Sequence, residues 1–326
     1  MNKKIVITGG AGFIGSHLSE YYLQKGDQVT VIDDLSSGKI ENLSIAEHPN
    51  LTFCQADILC FKDLKTIIKN SDIVYNMAAK VGMFNVLKHP VDTMHCNIEI
   101  LNRILEIIVS LEQKPLLVVA SSSEVYGAHL TPVKEEDILR VDSTRKSHAG
   151  YYVSKLCNEV MAMSYHKEKK IPVVIIRFFN TIGPRQTGRY GMVVPRFIKQ
   201  ALQNEPITIH GDGRQIRSFC DVKNVCMLLD KLCNNSASVG EIINVGNDME
   251  ISILELATLI KKLTHSSSVF EFKTYEETYG SDYSVIEYRR PNLDKIRKIT
   301  GLDCCWDIEE TIQNIIFFIK NHPDIT

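Results

Sequence analysis

The amino-acid sequence predicts an α/β fold: a doubly wound parallel sheet carrying a smaller C-terminal α/β domain. Three observations point there. Short apolar runs alternate with longer segments of helical period through the first half of the chain. Several of those runs are apolar at every position, as strands covered on both faces must be. A glycine-spaced turn joins the first run to the first helical segment. Alternation of this kind builds parallel crossovers rather than hairpins.

Taken in order, strands are expected at Lys4–Thr8, Gln28–Asp33, Leu51–Gln55, 72–76, 115–121 and 171–178. Helical patterns run over 13–25, 62–69, 92–111 and 151–169. After Asn180 the texture changes, with Gly, Pro and Arg crowded into 183–195. Helices at 196–204, 221–233, 252–263 and 308–319 follow, and 241–245 reads as one more buried strand. Residues 1–180 are therefore expected to form the first domain, with 216–246 returning to it. Residues 181–215 and 247–326 are expected to form the second.

The 326 residues are 44% hydrophobic and 23% charged, enough for a sizeable core. A net charge of −2 gives no global attraction to nucleic acid or to an anionic membrane, so any phosphate site must be local. The nine cysteines are Cys54, Cys60, Cys96, Cys157, Cys220, Cys226, Cys233, Cys304 and Cys305. Their number is odd and no pair has CxxC spacing. Neither a disulfide framework nor a metal site is expected, and the thiols read as reduced in a cytoplasmic protein. The start, MNKKIVITGG, reads as a buried strand rather than a leader, and no apolar stretch approaches a membrane span.

The glycine turn is IVITGGAGFIGSHL, with Gly9, Gly12 and Gly15 at intervals of three and Phe13 and Ile14 opening the helix. Glycines there let backbone N–H groups approach a pyrophosphate, and the helix dipole favours the anion. The second strand ends VTVIDD, which places Asp33 18 residues after Gly15. A carboxylate at that point accepts hydrogen bonds from ribose hydroxyls and repels a 2′-phosphate, so NAD is expected rather than NADP.

A second constellation lies downstream. Tyr151 and Lys155 stand four apart on one expected helix and share a face. A neighbouring ammonium, and a positive nicotinamide ring, would lower a phenol from about 10 toward working pH. Tyr152 is three residues from Lys155 and lies elsewhere on the helix. The strand LLVVASS runs into SSSEVYG, offering Ser122, Ser123 and Glu124 at a strand's carboxyl end, where such sheets collect catalytic groups.

Together, TGGAGFIG, Asp33, ADI at 56–58, SSSEVYG, YxxxK and RFFNTIGPRQ resemble the extended short-chain dehydrogenase/reductase family, whose fold is the Rossmann type. The stretch GPRQTGRYGMVVPRFIKQAL…GDGRQIRSF resembles its nucleotide-sugar epimerase, dehydratase and decarboxylase branch. The resemblance implies that Tyr151 is the acid/base, that Lys155 is its partner, and that Ser122 hydrogen-bonds the sugar 4-hydroxyl. It places Asp57 and Ile58 at the adenine, and Ala78, Ala79 and Lys80 along the cofactor. It also implies that Asn180 and Arg217 contact a UDP group, that Arg289 contacts the phosphates, and that the protein is a homodimer built on helices 92–111 and 151–169. Arg185 is expected to face the sugar and to read a C6 carboxylate. Arg189 and Arg290 are further cations of the second half.

A 4-keto sugar can be reduced from its other face, lose carbon dioxide if it carries a C6 carboxylate, or eliminate water. The 4,6-dehydratases of the family carry Asp-Glu after the catalytic threonine, where this chain has Ser123-Glu124. The uronate decarboxylases carry Ser-Glu. The Gly-Arg-Tyr-Gly loop at 188–191 resembles proteins assigned as UDP-sugar 4-epimerases, so 4-epimerisation is the first expectation, decarboxylation the second and dehydration the third. The run 146–150, with His148, is unusual for the family and leaves the sugar open. A sensor of NAD(H) or nucleotide sugar is the non-enzyme alternative. The complete Ser122, Tyr151, Lys155 set argues against it, because a sensor has no use for a base.

Overall fold

The computed structural model describes residues 2–43, 47–146, 149–188, 192–279, 286–302 and 307–322. Six strands of the main sheet arise before residue 180: β1 (Lys4–Thr8), β2 (Gln28–Asp33), β3 (Leu51–Gln55), β4 (Ile73–Asn76), β5 (Leu116–Ser122) and β6 (Val173–Phe178). A seventh, β7 (Ile242–Val245), joins from later in the chain. They form one parallel sheet in the order β7-β6-β5-β4-β1-β2-β3.

The helices are α1 (Phe13–Gln24), α2 (Leu64–Lys69), α3 (Met83–Lys88), α4 (Pro90–Val109), α5 (Ala149–Lys169), α6 (Val193–Leu202), α7 (Val222–Cys233), α8 (Ile253–Thr264), α9 (Tyr275–Tyr279), α10 (Asp294–Thr300) and α11 (Ile308–Asn321). Among the described residues none is long and apolar enough to cross a membrane.

Successive side chains of β1 go to opposite faces, and both faces are dry. Ile5 and Ile7 pack with Leu18 and Tyr22 of α1 and Val225 and Leu229 of α7. Val6 packs with Leu101, Ile104 and Ile108 of α4 and Leu64 and Ile68 of α2. Each such fully buried side chain stabilises the fold by about 1.5–3 kcal/mol, which is why the strands read as apolar at every position. A third cluster gathers Ile182, Phe197, Ile207, Phe219, Leu256, Ile260, Ile312 and Ile315.

Several element ends differ from expectation for local reasons. Helix α6 begins at Val193 rather than 196, because Pro195 lies in the first turn, where its missing N–H takes no bond away. Helix α4 opens on Pro90 for the same reason. The short α3 and α10 escaped the periodicity reading because six or seven residues are too few to show it.

β1 is flanked by β2 on one side and β4 on the other, so the crossovers leave it toward opposite faces. This switch point opens a crevice at the carboxyl ends of the strands. Thr8, Asp33, Asn76, Ser122 and Phe178 end their strands along that edge.

Candidate functional site

A cavity of about 970 Å³ runs over those strand ends. Its wall includes Gly9, Gly12, Phe13, Ile14, Asp33, Asp57, Ile58, Ala78, Ala79, Lys80, Ser122, Ser123, Glu124, Tyr151, Lys155, Asn180, Arg185 and Arg289. Eighteen of the twenty residues expected from sequence are thus brought together. Gly15, which packs against the backbone of Gly9 and Gly10, and Arg217 are not in the wall.

The turn after β1 depends on two glycines. Gly9 has φ +67°, and a Cβ there would lie 2.8 Å from the Ala78 backbone. A Cβ on Gly15 would collide with the Gly9 carbonyl oxygen. Backbone therefore packs on backbone, and Gly12 caps α1 with no side chain over its first amides. The first turn of α1 holds no acidic residue. Open amides at a helix N-terminus beside a side-chain-free turn fit a pyrophosphate.

Asp33 is 7% exposed, and its carboxylate oxygens accept from the amides of Ala11 at 2.9 Å and Leu35 at 2.8 Å. Burial raises its pKa above the usual carboxylate range, and these two hydrogen bonds oppose the shift. Asp57 accepts from the Leu59 amide at 2.9 Å, and Ile58 is buried beside it. Ala78 donates its amide to Thr8 Oγ1 at 3.2 Å. Lys80 donates its amide to Asn97 Oδ1 at 2.8 Å, and its Nζ stands 3.6 Å from Asp92.

At the end of β5 the chain enters a single 3₁₀ turn, Ser123–Tyr126, capped by Ser122 Oγ, which accepts the Glu124 amide at 3.2 Å. Helix α5 crosses this strand end. Its Lys155, 4% exposed, donates from Nζ to the Ala120 carbonyl at 2.9 Å and lies 6.0 Å from the Tyr151 ring centroid. Tyr151 and Ser122 both line the cavity here, with Ser122 close enough to act on the phenol. Tyr152 instead reaches the Asp142 carbonyl at 3.5 Å, as the helical-face reading requires.

The electrostatics differ from the sequence expectation. Burial, followed by the Glu124 carboxylate, pushes the Tyr151 phenol well above its ordinary value, while Ser122 and Arg289 pull the other way. Lys155 is pushed down to about 8 by burial, with Cys96 opposing. Its ammonium is engaged at the Ala120 carbonyl rather than at the phenol oxygen, so in the protein alone the lysine does not offset the desolvation of the tyrosine.

The arginines divide. Arg289 lines the cavity, and its Nη1 is 3.7 Å from Glu124 Oε1. Asn180 also lines it and donates from Nδ2 to the Ser218 carbonyl at 2.9 Å. Two of the others have partners within the protein. Arg185, in the cavity wall, has φ +68° and bonds Glu20 of α1 at 2.6 Å and Ser16 Oγ at 3.4 Å. Arg217 donates to the carbonyls of Ile216 and Ile286, both at 2.8 Å, and lies outside the residues that line the cavity. Arg290 pairs with Glu250 at 3.0 Å. Arg189, the 189–191 portion of the Gly-Arg-Tyr-Gly loop, His148, Cys304 and Cys305 lie outside the described residues.

Sequence reasoning missed a buried frame behind these groups. Asn97 joins Lys80 to Ser154 of α5. Glu159, one turn beyond Lys155, accepts from Ser121 Oγ at 2.5 Å and from Arg177 Nε at 2.9 Å and Nη2 at 2.7 Å. The signal available was a polar residue on the apolar face of each helix.

A family model described as "NAD dependent epimerase/dehydratase family" matches residues 5–246. A UDP-N-acetyl-alpha-D-glucosaminuronate decarboxylase of Bacillus cytotoxicus is 33% identical over 321 residues, covering 96% of this chain and 98% of that protein. UDP-glucuronic acid decarboxylase 1 of Arabidopsis thaliana is 34% identical over 98% of this chain and 70% of its own length. Among solved structures, UDP-glucuronic acid 4-epimerase of Bacillus cereus, in complex with UDP-glucuronic acid and NAD, superposes with a TM-score of 0.88 at 27% identity, covering 98% of this chain and 99% of that one.

Proposed function

Because this chain belongs to the NAD-dependent epimerase/dehydratase family, an enzyme family that works on nucleotide sugars, we propose that it oxidises a UDP-hexuronate at C4 and decarboxylates the resulting 4-keto sugar. The observation that carries the reading is the Glu124–Arg289 pair, set 3.7 Å apart in the cavity wall and close enough to Tyr151 for both charges to act on its phenol.

Gly9, Gly12, the α1 amides and Asp33 would hold NAD, with Asp57 and Ile58 at its adenine end and Ala78, Ala79 and Lys80 along its length. Bound NAD supplies the reversible hydride acceptance that interconverts a C4 alcohol and a ketone. Tyr151 takes the C4 hydroxyl proton while Ser122 hydrogen-bonds the same oxygen. Lys155 holds the ribose and completes the charge around the phenolate.

With a ketone at C4, the C6 carboxylate belongs to a β-keto acid. Arg289 gives that carboxylate a counter-charge on entry. Glu124 sets a like charge beside it in a site with little water, which raises the ground state. Cleavage of C5–C6 releases carbon dioxide and leaves the electron pair on C5 as an enolate, which takes a proton from a water molecule that enters as carbon dioxide leaves. Asn180 and Ser123 line the substrate side.

Sequence alone ranked 4-epimerisation first, and the charged pair moves decarboxylation ahead of it. Inversion at C4 needs only hydride transfer and the Tyr151 proton, even on a uronate, whereas loss of the carboxylate gives the Glu124 charge a task, and the two decarboxylases compared above are 33% and 34% identical to this chain. The 4-epimerase reading stands second on the likeness to the Bacillus cereus structure.

The test feeds UDP-glucuronate, UDP-N-acetylglucosaminuronate, UDP-glucose and UDP-N-acetylglucosamine to wild type and Glu124→Gln, following products by mass and NMR. Loss of carbon dioxide from a uronate is expected, slowed about 10²-fold by the substitution. Products of unchanged mass inverted at C4, formed equally by both proteins, reject decarboxylation for the second reading.

We also read the chain as two lobes, 1–180 with 216–246 and 181–215 with 247–326. The outer faces of α4 and α5, where Val91 and Val160 are exposed, are read as the homodimer surface.

A further inference from the structure

We infer that Asn244 is a positioning residue that sets Glu124 and Arg289 in register with each other; the inference rests on the reading that this pair acts on the sugar. Glu124 and Arg289 lie 165 residues apart in sequence, on a 3₁₀ turn and a two-residue strand, Tyr288–Arg289. Neither element is long enough to fix a side chain by itself. Both segments are instead tied to one carboxamide, through a tyrosine hydroxyl on one side and main-chain carbonyls on the other.

Asn244 lies on β7 and is fully buried. Its Oδ1 accepts from the Tyr126 hydroxyl at 2.7 Å, and Tyr126 ends the turn that carries Glu124. Its Nδ2 donates to the Val133 carbonyl at 3.0 Å and to the Asn292 carbonyl at 3.4 Å. Val133 brackets the Arg289 segment: its amide donates to the Arg290 carbonyl at 3.1 Å, and its carbonyl accepts from the Asn292 amide at 2.8 Å. The Asn244 amide donates to Glu135 Oε1 at 2.8 Å.

The chemistry selects asparagine. One acceptor faces a hydroxyl and two donors face carbonyls. An aspartate offers no donors, and a leucine leaves a hydroxyl and two carbonyls without that partner in a dry site. A buried carboxamide that bonds the Glu124 turn directly, and the Arg289 segment both directly and through Val133, couples the positions of the two charged residues. The Tyr151–Lys155 helix is anchored through Asn97 and through Glu159, whose partner Arg177 meets the Tyr126 ring face and the Glu135 carbonyl rather than the Asn244 carboxamide. Disturbing Asn244 therefore affects the step that needs Glu124 and Arg289, and spares oxidation at C4.

Tyr126→Phe is the gentle probe, because it removes one hydroxyl and keeps the ring against the Arg177 guanidinium, 4.6 Å from its centroid. Asn244→Ala is the stronger one. Both are compared with Glu124→Gln in the NAD-loaded enzyme with UDP-glucuronate and UDP-N-acetylglucosaminuronate. Single-turnover absorbance of the reduced cofactor reads C4 oxidation, and steady-state turnover reads the product.

The expected result for Tyr126→Phe is a fall in kcat of about 10-fold, the worth of one buried hydrogen bond, with oxidation unchanged within about twofold and the 4-keto sugar accumulating. Equal slowing of both steps, or no slowing of either, overturns the inference. Slow product formation in Glu124→Gln beside a normal Tyr126→Phe overturns the positioning role alone. Normal product formation in Glu124→Gln overturns the reading of the pair itself.

Discussion

Lys155 should make the protein less stable than it would be without it. Burial lowers this lysine from 10.5 to about 8. That difference amounts to about 3 kcal/mol against the charged form at neutral pH. Replacement by methionine, of similar length and with no charge, removes the penalty and forfeits the hydrogen bond to the Ala120 carbonyl, a net contribution of about 1 kcal/mol. The balance favours Lys155→Met by about 2 kcal/mol, a rise in Tm of about 3 °C for a chain of 326 residues. Activity should be almost lost, so the gain would appear in an inactive protein.

The sign in pH follows from linkage. Below pH 8 both folded and unfolded chains carry the proton, and the penalty is fully present. Between about 8 and 10.5 the unfolded chain holds more protons than the folded one, so wild-type stability rises with pH toward the variant's. The assay is thermal unfolding of cofactor-free wild type and variant at neutral pH and again above about pH 10. An equal or lower Tm for Lys155→Met at neutral pH, or a gap between the two that does not narrow with rising pH, would refute the reasoning.

Two further outcomes follow from the site. Tyr151→Phe should cut turnover by about 10²-fold or more while leaving binding of NAD and UDP nearly intact, and Tyr152→Phe, whose hydroxyl faces Asp142, should do little; similar kinetics for the two would contradict the face assignment. Asp33→Asn should weaken NAD by about 10-fold or more, the worth of a hydrogen bond to a charged group, and relax discrimination against NADP, read by titration calorimetry. A wild-type protein binding both cofactors equally would defeat the role given to Asp33.

What sequence could show was whatever repeats within a few residues. The continuous apolar runs of β1, β5 and β6 announced a sheet covered on both sides, and the four-residue spacing of Tyr151 and Lys155 announced a shared helix face. The turn at Gly9 was legible because close backbone packing leaves glycine few substitutes. The Glu20 partner of Arg185 was not legible because it stands 165 residues away, and nothing near the GPRQ segment signals a contact with α1. Asn97, Glu159 and Asn244 were passed over for a related reason. Each is a polar side chain in an apolar pattern, which sequence reads as an interruption, and its use appears only when partners from three elements converge on it.

The late arrival of β7 has a consequence for the chain as it is made. β6 is complete at Phe178, yet the strand that covers its outer edge begins at Ile242. While residues 179–241 are being added, at about 5–20 residues per second, the nascent sheet presents the six-residue edge VVIIRF for about 3–13 s. An uncovered apolar strand edge is a template for pairing with another chain. The third apolar cluster closes later still, since it waits for Ile312 and Ile315. The lobe that carries the glycine turn can therefore take shape first, but its outer margin stays open to neighbouring nascent chains until the edge strand has emerged. A fragment ending anywhere in 179–241 would keep that margin bare for good.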